Sequence, residues 1–269
     1  MELPYKKMEW VEACSDPTPS YFEEHFANAS LPALIHNVAN HWPAIAKWNP
    51  EFFSKRYPDL TVTVTRFRKS EVKKMKLADF FAYMATTKDE NPFYLSEWEF
   101  EQECPELMDD YVVPSYFHNW IDKIDKSQRP IWNWFYIGPA GTGSPMHVDV
   151  MASSAWNAVI TGQKLWVFFP IDQLEFIYNG QINAFKPDFD AFPLLKNARP
   201  YYCVQNPGDI VFTPSMWWHQ VYNAEDTISI TGNFLNHTNV KDVESFMTRN
   251  NLSQELSVLR LLKKSFLVS

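Results

Sequence analysis

The glycines of this 269-residue chain are confined to one stretch. All seven lie between Gly138 and Gly232, and the first 137 residues contain none. Because glycine permits tight turns and close backbone approach, this clustering predicts a β-rich segment with sharp corners, preceded and followed by more helical sequence. The chain has no internal repeat, low-complexity tract or Ser/Gly linker, so we expect one structural unit with one core. It comprises an N-terminal helix and strand region at 1–90, a β-barrel at 91–239 and C-terminal helices at 240–269.

Short apolar or alternating runs separated by turn residues fill the glycine-rich stretch, and we interpret them as strands. They lie at 133–137, 146–150, 155–160, 164–169, 209–213, 220–223 and 227–234. Many short strands at this spacing predict a barrel or sandwich, so the fold class is mainly β with flanking helices.

Helical spacing of apolar residues marks the two flanks of this stretch. Residues 240–267 predict one or two amphipathic helices, which either cover the barrel or form a homodimer interface. In the N-terminal region, helices are predicted at 20–28 and 76–84, and strands at 34–38, 60–67 and 93–95.

Composition and charge exclude several classes of protein. The aromatic content of 16% and the hydrophobic content of 46% exclude a disordered or fibrous chain. The three cysteines lie too far apart for a disulfide framework or a cysteine zinc cluster. With no secretory signal and no apolar run of 18 residues, we expect an intracellular protein of the cytoplasm or nucleus, without a membrane span. The net charge of −8 opposes direct nucleic-acid binding and suits a basic polypeptide partner.

One pair of motifs carries metal-ligating residue types. His147 and Asp149 are two residues apart in the strand pattern at 146–150, so both side chains would point to the same face. His219 heads another strand, and two histidines with one carboxylate form the facial triad of non-haem Fe(II) oxygenases. A hydrolytic zinc or manganese enzyme could use the same three ligands, but it would need a nearby general base.

Polar residues in apolar strands point to a ligand beside this triad. Lys164 heads the run 164–169, where an inward ammonium would need an anion. Thr227, Ser229, Thr231 and Asn233 share one face of the last strand, which is either solvent-exposed or turned towards a polar ligand. The ligand interpretation requires that Thr231 and His219 share a face.

Several motifs together resemble the JmjC (jumonji C) 2-oxoglutarate oxygenases between about 75 and 239. They are WFYIGP at 134–139, HVD at 147–149, SAWN at 154–157, GQK at 162–164, PGD at 207–209, WWH at 217–219 and TGNF at 231–234. The chain is most similar to the branch once called phosphatidylserine receptor, described as lysyl hydroxylases and arginine demethylases. It also resembles a sister branch that hydroxylates a lysine of a translation termination factor.

This resemblance implies a double-stranded β-helix, the cupin-like jelly roll, with Fe(II), 2-oxoglutarate and O2 as cofactor and cosubstrates. His147, Asp149 and His219 match the iron ligands. Matches to residues that bind 2-oxoglutarate or lie near the metal are Lys164, Thr231, Asn157, Tyr94, Ser144 and Asn233.

The implied reaction is hydroxylation of a protein side chain, with lysine as the expected target, and release of succinate and CO2. The alternatives are demethylation of N-methyl-lysine or N-methyl-arginine by the same chemistry, and a non-catalytic cupin-like binding module. The run 97–110 carries seven acids and no base, and it either binds a basic substrate or is a solvated segment.

Overall fold

The computed structural model describes residues 3–267 and contains two main β-sheets flanked by helices. The strands are β1 (Glu9–Trp10), β2 (Glu12–Ser15), β3 (Ala33–His36), β4 (Thr61–Thr65), β5 (Val72–Lys76), β6 (Leu95–Trp98), β7 (Asn133–Gly138), β8 (Ser154–Thr161), β9 (Lys164–Phe169), β10 (Tyr201–Gln205), β11 (Ile210–Thr213), β12 (Trp218–Asn223) and β13 (Thr227–Phe234).

The larger sheet has the strand order β2-β3-β11-β8-β13-β7-β6, and the smaller has the order β1-β10-β9-β12. Strands β4 and β5 form a separate antiparallel pair. Only β1–β10 and β2–β3 pair in parallel among the described strands. The mainly β prediction is confirmed as a two-sheet jelly roll rather than one continuously closed barrel.

The larger sheet is buried on both of its faces. Ile228 and Ile230 of β13 pack into an aromatic core with Trp48, Phe53 and Phe135, beneath the N-terminal helices. The opposite face of the sheet looks towards β9 and β12 of the smaller sheet, and a cavity lies between them. The polar face of β13 is therefore interior, which is the arrangement that favours a ligand.

Six α-helices flank the sheets in the described part of the chain. They are α1 (Pro19–Phe22), which continues as a π-helical turn at Glu23–Ala27, α2 (Pro43–Lys47), α3 (Pro50–Arg56), α4 (Leu77–Thr86), α5 (Val240–Arg249) and α6 (Ser253–Leu267). None of the helices in residues 3–267 combines the length and apolar character that crossing a bilayer requires.

The two C-terminal helices cover one end of the molecule. Val243 of α5 and Leu259 of α6 pack in a cluster with Trp120 and Trp132, and Met151 lies against it. The helices thus support the segment that follows Asp149. A dimer interface through them stays a prediction.

The strand predicted at 146–150 is wrong. Only His147 makes a bridge, to His219, and a 3-10 turn follows at Val150–Ala152. Met151 and Ala152, directly after the predicted strand, have left-handed φ angles of 53° and 54°. His147 and Asp149 therefore lie on an irregular segment that pairs with β12 only at His147.

Candidate metal centre and ligand cavity

The backbones of His147 and His219 are hydrogen-bonded to each other. The amide of His147 donates to the carbonyl of His219 at 3.0 Å, and the reverse bond measures 2.9 Å. The ring centroids lie 4.2 Å apart. Because β12 places His219 on its cavity-facing side, this bridge brings the second imidazole to the same point.

Each imidazole is oriented by a backbone carbonyl two residues earlier in the chain. Nδ1 of His147 lies 2.7 Å from the carbonyl oxygen of Pro145, and Nδ1 of His219 lies 3.1 Å from that of Trp217. A carbonyl oxygen only accepts, so Nδ1 carries the proton in both rings. The lone pair of each Nε2 is then available to a metal ion.

Asp149 completes the cluster. Its Oδ2 atom lies 4.0 Å from Nε2 of His219, and its side chain is only 12% exposed. Ligand atoms of the two histidines and Asp149 all lie within 4.8 Å of one another. Burial raises the pKa of the Asp149 carboxyl to about 6, an effect opposed by His147 and by a hydrogen bond from Asn233.

These residues fit a divalent metal ion. Oδ2 of Asp149 is buried without a hydrogen-bond partner, a costly arrangement that a cation would relieve. Burial and the neighbouring His147 hold the pKa of His219 well below its usual range, so this imidazole is neutral, as a ligand must be. Two nitrogens and one oxygen suit Fe(II), Mn(II) or Zn(II).

Lys164 lines the same cavity from β9, the strand that pairs with the β12 strand of His219. It follows the turn at Gly162, whose φ of +77° favours glycine, and its side chain extends from the first residue of β9 into the interior. Only 1% of Lys164 is exposed, and Nζ donates to Oδ1 of Asn223 at 2.8 Å and to the hydroxyl of Tyr94 at 3.4 Å. Burial lowers the pKa of Lys164 to about 7.

The Lys164 ammonium has no carboxylate partner among the described residues. A buried cation without a counter-charge is destabilising, so the cavity is complementary to a small anion. Since the metal ligands and Lys164 line one cavity, a molecule with two acidic groups could contact both.

The other predicted cavity residues surround the space between these two groups. Tyr94, Ser144, Asn157 and Thr231 all line it. Asn157 donates to the Thr231 hydroxyl at 2.7 Å, while its own Oδ1 is buried without a partner. Thr231 and His219 thus face the same cavity, as the ligand interpretation of the sequence required.

Asn233 lies outside the cavity lining. Its amide donates to the Ser153 hydroxyl at 2.8 Å and supports the Asp149 carboxylate. Thr227 and Ser229, on the same face of β13, instead donate to the backbone carbonyls of Glu225 and Tyr136. Of the four polar residues on that face, only Thr231 reaches the cavity.

The comparison with protein families decides the classification. Residues 19–239 match the family described as the cupin-like domain. The chain belongs to the cupin-like domain family. Its relatives include the arginine-specific demethylase JMJ22 of Arabidopsis thaliana, 32% identical over 247 residues, which are 88% of this chain and 48% of the relative.

Two further relatives of this cupin-like domain come from animals. The bifunctional arginine demethylase and lysyl-hydroxylase psr-1 of Caenorhabditis elegans is 29% identical, over 83% of this chain and 60% of the relative. The 2-oxoglutarate and iron-dependent oxygenase JMJD4 of Mus musculus is 27% identical, over 89% of this chain and 62% of the relative. The resemblance to JmjC oxygenases is confirmed. The chain spans about half to three fifths of these curated relatives.

Two residues of the cupin-like domain's cavity were missed in the sequence. Asn223 accepts from Lys164, and the period of two along β12 could have revealed it, because residues 219, 221 and 223 share a face. Tyr136 of β7 lines both the cavity and its mouth, but an aromatic residue in an apolar run carries no distinguishing signal.

The acids of the run 97–110 are mostly engaged in other contacts of the cupin-like domain. Glu106 pairs with Arg56 at 3.0 Å, and Asp110 pairs with Lys47 at 2.7 Å. Of the seven, only Glu97 lines the pocket that leads to the metal centre. Glu101 accepts a hydrogen bond from the Asn133 amide at 2.7 Å, and Glu103 accepts one from the Trp98 indole at 3.3 Å.

Proposed function

We propose that this protein is an Fe(II)- and 2-oxoglutarate-dependent dioxygenase that hydroxylates a protein side chain, with lysine as the favoured target. The observation that carries this proposal is the buried Lys164 ammonium in the same cavity as the His147, Asp149 and His219 cluster. A hydrolytic metal site needs no such cation, whereas a diacid cosubstrate does.

Each residue has a distinct part in this activity. His147, Asp149 and His219 would hold the iron, and Lys164 would neutralise the distal carboxylate of 2-oxoglutarate. The hydroxyls of Tyr94, Ser144 and Thr231 supply further hydrogen-bond donors in the lining. When bound, iron with 2-oxoglutarate and O2 supplies oxidation of an unactivated C–H bond, with succinate and CO2 as coproducts.

The aromatic walls keep water away from the reacting centre. Trp166 stacks near His219 with a centroid distance of 5.8 Å, and Trp156 lines the cavity on the larger sheet. Excluding water strengthens the interactions of charged groups in the cavity and limits side reactions.

Two observations support a basic protein or peptide as the substrate. The chain has a net charge of −8, and the acidic Glu97 lines the pocket at the cavity entrance.

The relative psr-1 is named for both lysyl hydroxylation and arginine demethylation, so removal of an N-methyl group is the second candidate activity. Both reactions use the same centre and differ in the product.

We also propose that the protein is located in the cytoplasm or nucleus. Cys14, Cys104 and Cys203 are all free thiols, which suits a reducing intracellular environment in the cytoplasm or nucleus. Fractionation of cells that express the tagged protein would test this location.

Succinate release and product mass spectrometry test the activity. Wild-type protein with Fe(II), ascorbate, 2-oxoglutarate and air should form succinate, and the His147→Ala variant should not. Host-cell proteins incubated with wild type should gain 16 Da on lysine if the reaction is hydroxylation. A loss of 14 Da per methyl group would support the demethylase instead, and an absence of succinate would refute both.

A further inference from the structure

The metal cavity opens through an outer pocket of about 180 Å³. The two spaces share Tyr94, Tyr136, Ser144 and His147, so a side chain that enters the outer pocket is directed towards the metal ligands. A substrate residue would therefore pass the rim of this pocket, and the charges there bear on which residue is accepted.

Two of the three cations on this rim have partners other than Glu97. Arg66 pairs with Glu71 at 2.8 Å and with Asp89 at 3.1 Å. The Arg68 guanidinium donates to two backbone carbonyls of the segment 181–182, at 2.9 and 3.2 Å. Both guanidinium groups are therefore held away from Glu97 by these contacts.

The third cation forms a pair with the pocket's acid. Nζ of Lys69 lies 3.3 Å from Oε2 of Glu97, and the two side chains are 65% and 55% exposed. Glu97 is the single acid among the described residues that line the pocket. An ion pair this exposed contributes little to stability, so Lys69 is readily displaced.

Glu97 lies in a β-bulge and has a left-handed backbone conformation. The pairing of β6 with β7 shifts register between Leu95 and Trp98, where two β6 residues oppose Tyr136 alone. Glu97 is the second of the two, and its φ of 58° lies in the left-handed region. Such bulges redirect side chains beside functional sites, and a left-handed Glu is strained where glycine would not be.

We propose that Glu97 is the specificity residue that receives the ammonium of a lysyl substrate, and that Lys69 occupies its carboxylate until the substrate arrives. This inference rests on the proposed function, because it names the group that selects the substrate of that site. An incoming ammonium replaces one Glu97 ion pair by another and leaves Lys69 in solvent, where its charge is well hydrated.

The electrostatic environment agrees with this role. The negative charge of Glu97 adds to burial in raising the pKa values of both Tyr94 and Tyr136. The Glu97 charge therefore acts on the two phenol groups that lie between the rim and the metal centre.

Peptide selectivity of matched variants tests the inference. The probes are alanine-rich 11-residue peptides with a central lysine or norleucine, measured for binding to Mn(II)-loaded protein with 2-oxoglutarate. Wild type should prefer lysine by roughly tenfold or more, Glu97→Gln should abolish this preference, and Lys69→Met should increase it. Glu99→Gln is the control, because it removes an equal charge from an exposed neighbour outside the pocket.

Two further measurements separate the possible failures. Glu97→Gly should keep or raise the melting temperature, since glycine relieves the strain at φ 58°, while it loses the lysine preference. Succinate formation by wild type without peptide tests the oxygenase separately, and its absence would refute the oxygenase but not lysine selection, which is measured by peptide binding. A wild type without lysine preference, or a Glu97→Gln variant that retains it, would overturn the inference.

Discussion

His147 and His219 hold each other through two reciprocal backbone hydrogen bonds of 3.0 and 2.9 Å. The relative position of these two candidate metal ligands is therefore fixed by the protein fold itself. Each imidazole is further fixed by a carbonyl, so a metal would bind to a preformed site. Metal binding and folding should then be separable in mutants.

Replacing Asp149 by alanine should abolish metal binding without unfolding the protein. We expect the affinity for Co(II) to fall at least ~100-fold, since one of three ligands is lost. The metal-free variant should be at least as stable as the metal-free wild type at pH 8, because a buried carboxylate is removed. Co(II) absorption titration and thermal unfolding measure the two effects. Asp172→Ala, an exposed aspartate, is the control and should change neither.

Replacing Lys164 by methionine should weaken 2-oxoglutarate binding while metal affinity is kept. A hydrogen bond to a charged group contributes about 1.5–3 kcal/mol, so the dissociation constant should rise roughly 10- to 150-fold. Isothermal titration of the Mn(II)-loaded protein measures this change. Unchanged affinity would mean that the diacid does not reach Lys164.

Binding of 2-oxoglutarate should take up a proton above pH 7. Burial lowers the pKa of Lys164 to about 7, so the Lys164 side chain of the ligand-free protein is mostly neutral at pH 8. A bound carboxylate favours the ammonium, so affinity should fall as the pH rises above 7 and level off below it. Titrations at pH 8 in buffers of different ionisation enthalpy should report up to one proton taken up, and Lys164→Met should remove this uptake.

The same group predicts how stability depends on pH in the ligand-free protein. Because the unfolded chain holds the Lys164 proton up to its ordinary pKa of 10.5, the unfolded state binds more protons than the folded state above pH 7. The contribution of Lys164 to the free energy of unfolding should therefore rise between pH 7 and about 10. Denaturant unfolding of wild type and Lys164→Met across this range isolates the contribution.

Much of the jelly roll follows from local sequence pattern. The strands predicted at 164–169 and 227–234 have the same bounds in the structure, since a turn at Gly162 and the segment before Thr227 delimit them. No strand forms at 146–150, because only His147 pairs with β12 and Val150 already begins a 3-10 turn that contains the left-handed Met151. Side-chain periodicity does not report such a turn.

Some features of the candidate site could be predicted from the sequence, and others could not. The residues identified by motif resemblance line one cavity, except Asn233, but the resemblance did not reveal the partner of Lys164 or the contacts of the acidic run. Asn223 reaches Lys164 through the register of β9 and β12, and Glu97 enters the pocket through a bulge. The period of two along β12 places Asn223 on the cavity side, but its contact with Lys164 and the position of Glu97 depend on pairing between distant strands, which local sequence does not specify.

Helix α5 should influence the metal centre from a distance. Val243 is fully buried in the cluster that packs against Met151, two residues after Asp149. Val243→Ala should lower the free energy of unfolding by roughly 1–3 kcal/mol and the Co(II) affinity by about tenfold. Lys241→Ala, on the exposed side of the same helix, should leave both unchanged.

The most direct test of the proposed oxygenase function is anaerobic absorption spectroscopy of purified protein with Fe(II) and 2-oxoglutarate. A ligand that chelates the iron while its distal carboxylate contacts Lys164 should give a weak visible charge-transfer band that requires both additions. We predict this band in wild type, its loss in His147→Ala, and a higher 2-oxoglutarate requirement in Lys164→Met. A wild-type protein that binds Fe(II) but develops no band at saturating 2-oxoglutarate would contradict the account.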